Sequence, residues 1–228
     1  MPYQVEKFKI NKACEKLFAL ARSTVIRYGM EEMLGKGVLV GLSGGADSVL
    51  LLLFLLYYRE NYNTSMNVVA CHVNHLIRGD EAFRDLEFTR NFCSKYGVEL
   101  CEVEVDVPSL AKQEALGLEE AARNARYSAF NKIILSRNDI DTIALAHNAS
   151  DNLETVIFNM MRGSGLSGMC GIPPIRDNIV RPFIQIPKSE IVDSLNKGGI
   201  SYVTDSTNLS TDYTRNYIRH EIDRKSVV

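Results

Sequence analysis

The sequence predicts an α/β fold in which a doubly wound, parallel, five-stranded sheet is covered by helices on both faces. Three observations support this prediction. Short apolar runs rich in β-branched residues alternate with segments of helical periodicity, which is the pattern of right-handed βαβ crossovers. A glycine-rich turn follows the first of these runs, at 43–48. The composition, with 46% hydrophobic and 24% charged residues, is that of an ordinary globular protein.

The elements alternate along the chain in the order that such a sheet requires. Apolar residues recur at helical spacing before the first strand, and buried apolar runs mark the strands. The predicted strands occupy 36–42, 67–75, 98–107, 141–147 and 179–184. The predicted helices occupy 8–30, 47–58, 80–96, 118–137, 150–162 and 187–199.

No internal repeat or long linker divides the chain, so the sequence predicts a single domain over 1–228. A core is expected over about 30–162. The pattern then changes at 163–174, where glycine and proline predict a loop, and the rest of 163–228 is expected to form an extension of loops and helices.

Charge and cysteine usage exclude several classes of protein. The net charge is −2, so no global basic field attracts nucleic acid, and any RNA contact must come from local patches. Five scattered cysteines without a CxxC pair indicate reduced thiols in a cytoplasmic protein, not a disulfide framework or a zinc site. The longest apolar run, 49–58, is far shorter than the roughly 20 residues of a membrane span, so no membrane partner is predicted.

The turn after the first predicted strand reads SGGADS and carries the sharpest chemical signal. Its glycines allow backbone N–H groups to turn inward at a helix N-terminus, where the helix dipole attracts phosphate. The turn has neither the Gly-Lys-[Ser/Thr] ending of a Walker A loop nor a GxGxxG fingerprint. Without a loop lysine, N–H groups, hydroxyls and Mg²⁺ must meet the phosphate charge, and Asp47 is the candidate metal ligand. An ordinary helix N-cap by serine or aspartate is the alternative interpretation.

Several segments resemble a known family. SGGADS is similar to the SGGxDS signature of the N-type ATP pyrophosphatases, or PP-loop enzymes, which cleave ATP to AMP and pyrophosphate. Further segments resemble those of the tRNA(Ile)-lysidine synthase family and follow the family's order. The loop at 162–172 and the segment at 205–222 are much more specific than SGGxDS. These segments are HVNHLIRGDEAFRD at 72–85, LEEAARNARYSAF at 118–130, AHNASDNLET at 146–155, RGSGLSGMCGI at 162–172, RPFIQIPKSEI at 181–191 and DSTNLSTDYTRNYIRHEI at 205–222.

The resemblance implies an adenine nucleotide alpha hydrolase-like fold, a nucleotide-binding core and a two-step reaction. ATP, with Mg²⁺, would adenylate the oxygen on carbon 2 of the wobble cytidine in tRNA(Ile) with a CAU anticodon. L-lysine would then displace AMP to give lysidine. The resemblance also implies that the family's further C-terminal tRNA-binding domains are absent from this chain, and it leaves a homodimer open as the assembly.

The resemblance assigns roles to residues that follow the predicted strands. The implied catalytic residues are Asp47, Arg126, His147 and Asp151. The implied nucleotide-binding residues are Ser43, Gly44, Gly45, Ala46, Asp47, Ser48, His72 and Asn74. The implied substrate or tRNA residues are His75, Arg78, Arg123, Glu154, Arg162, Arg215, Asn216 and Arg219. Because ligands bind where the strand order reverses, SGGADS and HNASD are expected to face one crevice.

The residue types alone leave other interpretations open at these positions. His147 at the end of a buried strand is equally compatible with a structural role, Asp151 with an N-cap and Arg78 with a helix-terminal charge. The basic and aromatic stretch at 213–220 is nearly as compatible with a solvated terminal helix.

The segment after the fourth predicted strand departs from the family motif, which resembles His-His-x-Asp-Asp-x-x-Glu-Thr. Asn148 replaces the second histidine and Ser150 replaces the first aspartate. These replacements weaken any role assigned to positions 148 and 150, while the groups at His147 and Asp151 remain.

Three alternative functions stay open. A PP-loop tRNA 2-thiolation enzyme is the first, although such enzymes resemble this domain with paired CxxC cysteines, which this chain lacks. A non-catalytic nucleotide-binding module of the same fold is the second. An enzyme that amidates a small metabolite is the third, because such enzymes share SGGxDS, although they lack the DSTN…RHEI ending.

Overall fold

The computed structural model describes residues 12–77, 79–165 and 169–204. The predicted site residues Arg78, Arg215, Asn216 and Arg219 lie outside these ranges. The strands are β1 Gly37–Gly41, β2 Asn67–Asn74, β3 Glu99–Glu104, β4 Thr142–Ala144, β5 Ile175–Arg176 and β6 Ile179–Val180. The helices are α1 Lys12–Arg27, α2 Ala46–Tyr62, α3 Asp80–Tyr96, α4 Val107–Glu114, α5 Leu118–Leu135, α6 Ala149–Met161 and α7 Lys188–Lys197.

A six-stranded sheet with the order β3-β2-β1-β4-β6-β5 forms the centre of the fold. The pairs β1–β2, β2–β3, β1–β4 and β4–β6 are all parallel. Val38 of β1 lies opposite Val68 on one side and Thr142 on the other. After β3 the chain crosses to the far side of β1, so the strand order reverses between β1 and β4. The predicted doubly wound parallel sheet is confirmed.

The last predicted strand, 179–184, is shorter than expected and belongs to a hairpin. β6 ends at Val180, and β5 adds an antiparallel edge strand in which Ile175 pairs with Val180. Asp177, with φ 53°, lies in the two-residue turn between the two strands. Pro182 has no N–H to donate to the ladder, so the chain leaves the sheet there. The sheet therefore has one strand more than the five predicted.

The prediction of a strand over 98–107 is wrong at its end, because β3 stops earlier and α4 begins at Val107. Asp106 caps this helix, since its carboxylate accepts the Ser109 N–H at 3.0 Å and the Ser109 hydroxyl at 2.7 Å. Pro108 lies in the first turn, a position that suits its fixed φ. These start signals override the alternating pattern that precedes them.

Helices cover both faces of the sheet. Every residue from Val49 to Leu56 in α2 is at most 4% exposed, because α2 lies between the sheet and the helices α1 and α7. On the opposite face, Phe130 of α5 packs against Leu39 and Ile143. This double burial explains why α2 is apolar on all sides. Among the helices in the described ranges, none is long and apolar enough to cross a membrane.

Candidate functional site

A cleft of about 450 Å³ opens at the carboxyl ends of β1, β2 and β4, where the strand order reverses. This volume lies in the range of small-molecule and cofactor sites. Strand ends, the loop before α2 and the exposed side of α5 form its wall. The predicted site residues that line it are Ser43, Gly45, Asp47, Ser48, His72, Asn74, His75, Arg123, Arg126, His147 and Asp151.

The loop before α2 is closed by its own two serines. Ser48 Oγ accepts the Ser43 N–H at 3.2 Å and donates to the Gly45 carbonyl at 2.9 Å. The Gly45 N–H donates in turn to Ser43 Oγ at 3.4 Å. Two of the N–H groups that were expected to face phosphate are therefore engaged inside the loop.

The first turn of α2 presents donors that the helix itself does not use. Its first intrahelical bond runs from the Val49 N–H to the Gly45 carbonyl at 3.0 Å, so the N–H groups of Ala46, Asp47 and Ser48 precede the hydrogen-bond ladder. Gly45 is the N-cap, and no side chain caps this helix. The N-cap interpretation of the motif is therefore wrong. The start of α2 can instead bind an anion.

Asn148 joins the two predicted catalytic carboxylates. Its buried side chain donates from Nδ2 to Asp47 Oδ1 at 3.1 Å, and its Oδ1 accepts the Asp151 N–H at 3.0 Å. Asp151 Oδ2 accepts the Asn148 N–H at 3.0 Å, which completes a capping box at the start of α6. The N-cap is thus Asn148, not Asp151. Asn148, one of the two residues that depart from the family motif, therefore caps α6 and orients Asp47.

The surroundings of Asp151 make its carboxylate more basic than that of an ordinary aspartate. Burial raises the pKa of its carboxyl, and the negative charges of Asp47 and Glu154 raise it further. The Asn148 N–H and the charge of Lys188 oppose this shift. A carboxylate with a raised pKa is a stronger base than an ordinary one, so Asp151 suits proton transfer.

Lys188 is a site residue that sequence reasoning did not single out. Its Nζ lies 3.5 Å from Asp47 Oδ2, and its N–H donates to Ser150 Oγ at 3.4 Å. Both oxygens of Asp47 therefore have partners. The sequence does contain a signal for it. A lysine in the first turn of a helix is disfavoured by the helix dipole, so its presence there suggests a role other than helix stability.

Arg181 is a second residue that the motifs did not reveal. It is 2% exposed, and its guanidinium donates from Nε to His147 Nδ1 at 3.2 Å and from Nη1 to the Pro173 carbonyl at 2.7 Å. Arginine has only donors, so Nδ1 of His147 must be the acceptor and the proton of the neutral ring lies on Nε2. His147 is therefore prepared to donate a hydrogen bond rather than to abstract a proton.

The end of β2 contributes a buried histidine and a buried amide. His72 donates from Nδ1 to the Leu42 carbonyl at 3.0 Å, and burial lowers the pKa of its ring, so Nε2 is an acceptor. Asn74 Oδ1 accepts the Leu76 N–H at 3.0 Å, whereas its buried Nδ2 has no partner within the described part of the chain. A buried donor left over in a cleft wall is expected to bind an acceptor of the ligand.

Two arginines of α5 supply positive charge to the cleft. Arg126 lines the cleft and is exposed, yet desolvation by the surrounding protein lowers the pKa of its guanidinium. Tyr127 opposes this shift, and the charge of Arg123 adds to it. The Arg123 guanidinium lies 5.3 Å from the centre of the Tyr127 ring. In the described ranges no carboxylate forms an ion pair with either arginine. Both can therefore receive an anionic ligand.

Comparison with known proteins identifies the family of this chain. A family model described as a PP-loop domain matches residues 6–226. The chain belongs to the PP-loop domain family.

Curated relatives of this PP-loop protein include tRNA(Ile)-lysidine synthases. The relative from Clostridium tetani is 41% identical over 201 residues, which are 88% of this chain and 42% of the relative. The relative from Pseudothermotoga lettingae is 42% identical over 188 residues, which are 82% of this chain and 41% of the relative. The chain thus spans less than half the length of these relatives.

A solved structure supports the fold of this PP-loop protein. It is a U34-tRNA thiolase from Methanococcus maripaludis with its [4Fe-4S] cluster. The TM-score is 0.74 at 20% identity, over 93% of this chain and 73% of the thiolase chain. At that identity the likeness concerns the architecture alone.

The donor set of the PP-loop site fits a Mg²⁺ ion that arrives with ATP. Within the described ranges, no cluster of three or more His, Cys, Asp and Glu side chains could hold a metal by itself. Asp47 and Asp151 are close enough for the charge of Asp47 to raise the pKa of Asp151. Mg²⁺ is commonly bound by one or two carboxylates, with substrate phosphates and water completing its shell. Asp47, at the start of α2, is the candidate for that contact.

Some predicted residues do not line the PP-loop cleft. Gly44 and Ala46 are part of the loop and the first turn behind it. Glu154 lies one turn beyond Asp151 on α6 and acts on the cleft through its charge. Arg162 is exposed, and its guanidinium lies 4.7 Å from the centre of the Phe158 ring.

Proposed function

We propose that this PP-loop protein ligates L-lysine to carbon 2 of the wobble cytidine of tRNA(Ile) with a CAU anticodon, giving lysidine. The observation that carries the proposal is the 40–42% identity to curated tRNA(Ile)-lysidine synthases, which extends over 82–88% of this chain. The cleft supports it, because an anion-binding helix start, two arginines and a basic carboxylate surround one cavity. We further propose that 1–228 acts as one catalytic domain with its nucleotide-binding core at about 30–162.

The first step makes a good leaving group from a poor one. The oxygen on carbon 2 of cytosine attacks the α-phosphorus of ATP, the new O–P bond forms, and the bond to pyrophosphate breaks. The N–H groups at the start of α2 and the guanidiniums of Arg123 and Arg126 would stabilise the charge that develops on the phosphates. Mg²⁺, held by Asp47, would add to this neutralisation when bound.

The second step joins lysine to the base. The ε-amine of lysine attacks carbon 2, the C–N bond forms, and the bond from carbon 2 to the adenylate oxygen breaks, so that AMP leaves. The amine must lose a proton. Asp151 is the better acceptor for it, because burial raises its pKa. His147, with its Nδ1 engaged by Arg181, would instead donate from Nε2 to an oxygen of the ligand.

The RNA must present an unstacked cytosine, which the single-stranded anticodon loop allows. His75, at the end of β2, is the proposed contact for the base. The remaining proposed contacts to tRNA or lysine are Arg78, Arg162, Glu154, Arg215, Asn216 and Arg219. Such an enzyme would meet its tRNA in the cytoplasm.

The adenylation step tests this proposal against a non-catalytic nucleotide-binding module. Unmodified tRNA(Ile) with a CAU anticodon is incubated with the chain, ATP and Mg²⁺, and pyrophosphate release is measured. The control is the same tRNA with uridine at the wobble position. We expect release with cytidine and none with uridine. Equal release with both tRNAs, or none with either, would refute the proposal.

A further inference from the structure

The side chains that line the cleft carry too few positive charges to neutralise a triphosphate. The described wall contains the carboxylates of Asp47, Asp85 and Asp151 but only the two guanidiniums of Arg123 and Arg126. The SGGADS loop contributes no lysine of its own. A polyanionic ligand in this cleft therefore needs positive charge from outside the lining.

Lys188 carries such a charge and lies beside Asp47, a residue of the cleft lining. Its Nζ is 3.5 Å from Asp47 Oδ2, and its side chain is 35% exposed, so the ammonium group has room to move. The starts of three helices meet at this point. Asp47 is in the first turn of α2, Asn148 caps α6 and donates to Asp47, and Lys188 begins α7. Positive ends of helices that converge in this way favour an anion between them.

The stability of α7 does not explain this lysine. A cation in the first turn of a helix faces the positive end of the helix dipole and is disfavoured there. A partly exposed ion pair such as the one with Asp47 contributes little to folding. Lys197 offers the contrast within the same helix. It lies in the last turn, which suits a cation, and it pairs with Asp193 at 3.8 Å while both side chains are 69% exposed.

We propose that Lys188 is a triphosphate-binding residue that supplies the cation missing from the SGGADS loop. When ATP enters, the ammonium group leaves Asp47 Oδ2 and binds phosphate oxygens beyond the α-phosphate, which frees one oxygen of Asp47. No covalent bond changes, because the ammonium group only exchanges a carboxylate oxygen for phosphate oxygens. The proposal rests on the use of ATP in the proposed function but not on its tRNA or its lysine.

Nucleotide binding by the full chain tests the proposal. Titration calorimetry gives the affinities for ATP and AMP, first in EDTA and then with Mg²⁺, without tRNA or lysine. Lys188→Met removes the ammonium group, Lys188→Arg retains a positive charge, and Lys197→Met removes a lysine from the other end of α7. We expect Lys188→Met to lower ATP affinity about tenfold or more in EDTA. Its affinity for AMP should stay unchanged, Lys188→Arg should lose less, and Lys197→Met should match the wild type.

Three outcomes would overturn the proposal. Equal losses of ATP and AMP affinity would indicate a structural role for Lys188. Unchanged or tighter ATP binding by a folded Lys188→Met would mean that the lysine only competes for Asp47. Absence of ATP binding by the wild type would overturn it together with the proposed function. Circular dichroism verifies folding, and Lys188→Gln replaces a variant that fails to fold. A chain that binds ATP through Lys188 yet forms no lysidine would refute the proposed function alone.

Discussion

Asp47 is the residue at which the polar contacts of the cleft converge, with Asn148 at one oxygen and Lys188 at the other. Asp47→Asn retains an acceptor for Asn148 but removes the charge that faces cations. We expect a native fold, because a partly exposed ion pair is worth less than about 1 kcal/mol. Adenylation should fall roughly 100-fold or more. ATP–pyrophosphate exchange measures this effect, and near-normal exchange by a folded variant would contradict the role.

Asp151 combines a cap with a carboxyl whose folded-state pKa is raised. Its contribution to stability is therefore fully present below the ordinary aspartate pKa of about 4 and is lost as pH rises through the folded pKa. Asparagine carries no charge and can still accept the Asn148 N–H. We expect Asp151→Asn to be at least as stable as the wild type at pH 7 and to lose that advantage near pH 3, while lysine transfer falls. Denaturant unfolding at both pH values gives the difference in unfolding free energy between the variant and the wild type. A difference that favours the variant more at pH 3 than at pH 7 would contradict the prediction.

His147 and His72 are predicted to carry their protons on opposite ring nitrogens. Arg181 donates to His147 Nδ1, whereas His72 Nδ1 donates to the Leu42 carbonyl. ¹⁵N NMR of the rings should show the Nε2–H form for His147 and the Nδ1–H form for His72.

Arg181→Met removes the donor to His147 Nδ1, so only the His147 ring should become free to change its protonated nitrogen. The variant should lose about 1–3 kcal/mol of folding stability, because buried hydrogen bonds are lost. His72 serves as the internal control in the same spectrum. A His147 ring that already carries its proton on Nδ1 in the wild type would contradict the assignment, whatever the variant does.

The loop between β1 and α2 depends on a glycine at its centre. Gly44 has φ 86°, its carbonyl accepts the Val203 N–H at 2.9 Å, and an added Cβ would meet Val203 at 3.2 Å and Phe88 at 3.3 Å. Gly44→Ala should therefore destabilise the chain by about 1–2 kcal/mol and weaken ATP binding. Gly117→Ala is the matched control, because Gly117 has φ −65° and no atom within 4 Å of an added Cβ. Thermal melts that give equal effects for both variants would contradict the loop geometry.

Elements with strong local signals could be predicted, and elements decided by a few residues could not. The long apolar run of α2 indicates a helix that is buried on all sides. The glycines of SGGADS indicate a turn. The alternating pattern of β3 concealed the start of α4, although Asp106 and Pro108 signal it. The β5–β6 hairpin has strands of two residues each, and strands this short show no alternating pattern in the sequence.

Topology predicts that SGGADS and HNASD meet in one cleft, because they follow β1 and β4, the two strands between which the strand order reverses. The partners inside the cleft do not follow from it. Asn148 and Asp47 are 101 positions apart, and Arg181 and His147 are 34 apart, so only the packed fold brings these side chains together. Asn148 was noticed as a departure from a motif, but its double task as cap and donor depends on the precise approach of α6 to α2.

For the molecule as a whole, the proposed reaction joins lysine to a cytidine of tRNA(Ile) in the cleft. Mass analysis of nucleosides is its most direct test. Unmodified tRNA(Ile) with a CAU anticodon is incubated with the chain, ATP, Mg²⁺ and isotopically labelled L-lysine, then digested to nucleosides. We expect a new nucleoside with the mass of lysidine that carries the label, appears only when ATP is present and is lost with Asp47→Asn. A wobble cytidine that stays unmodified, although the folded wild-type chain binds ATP and the tRNA, would contradict it.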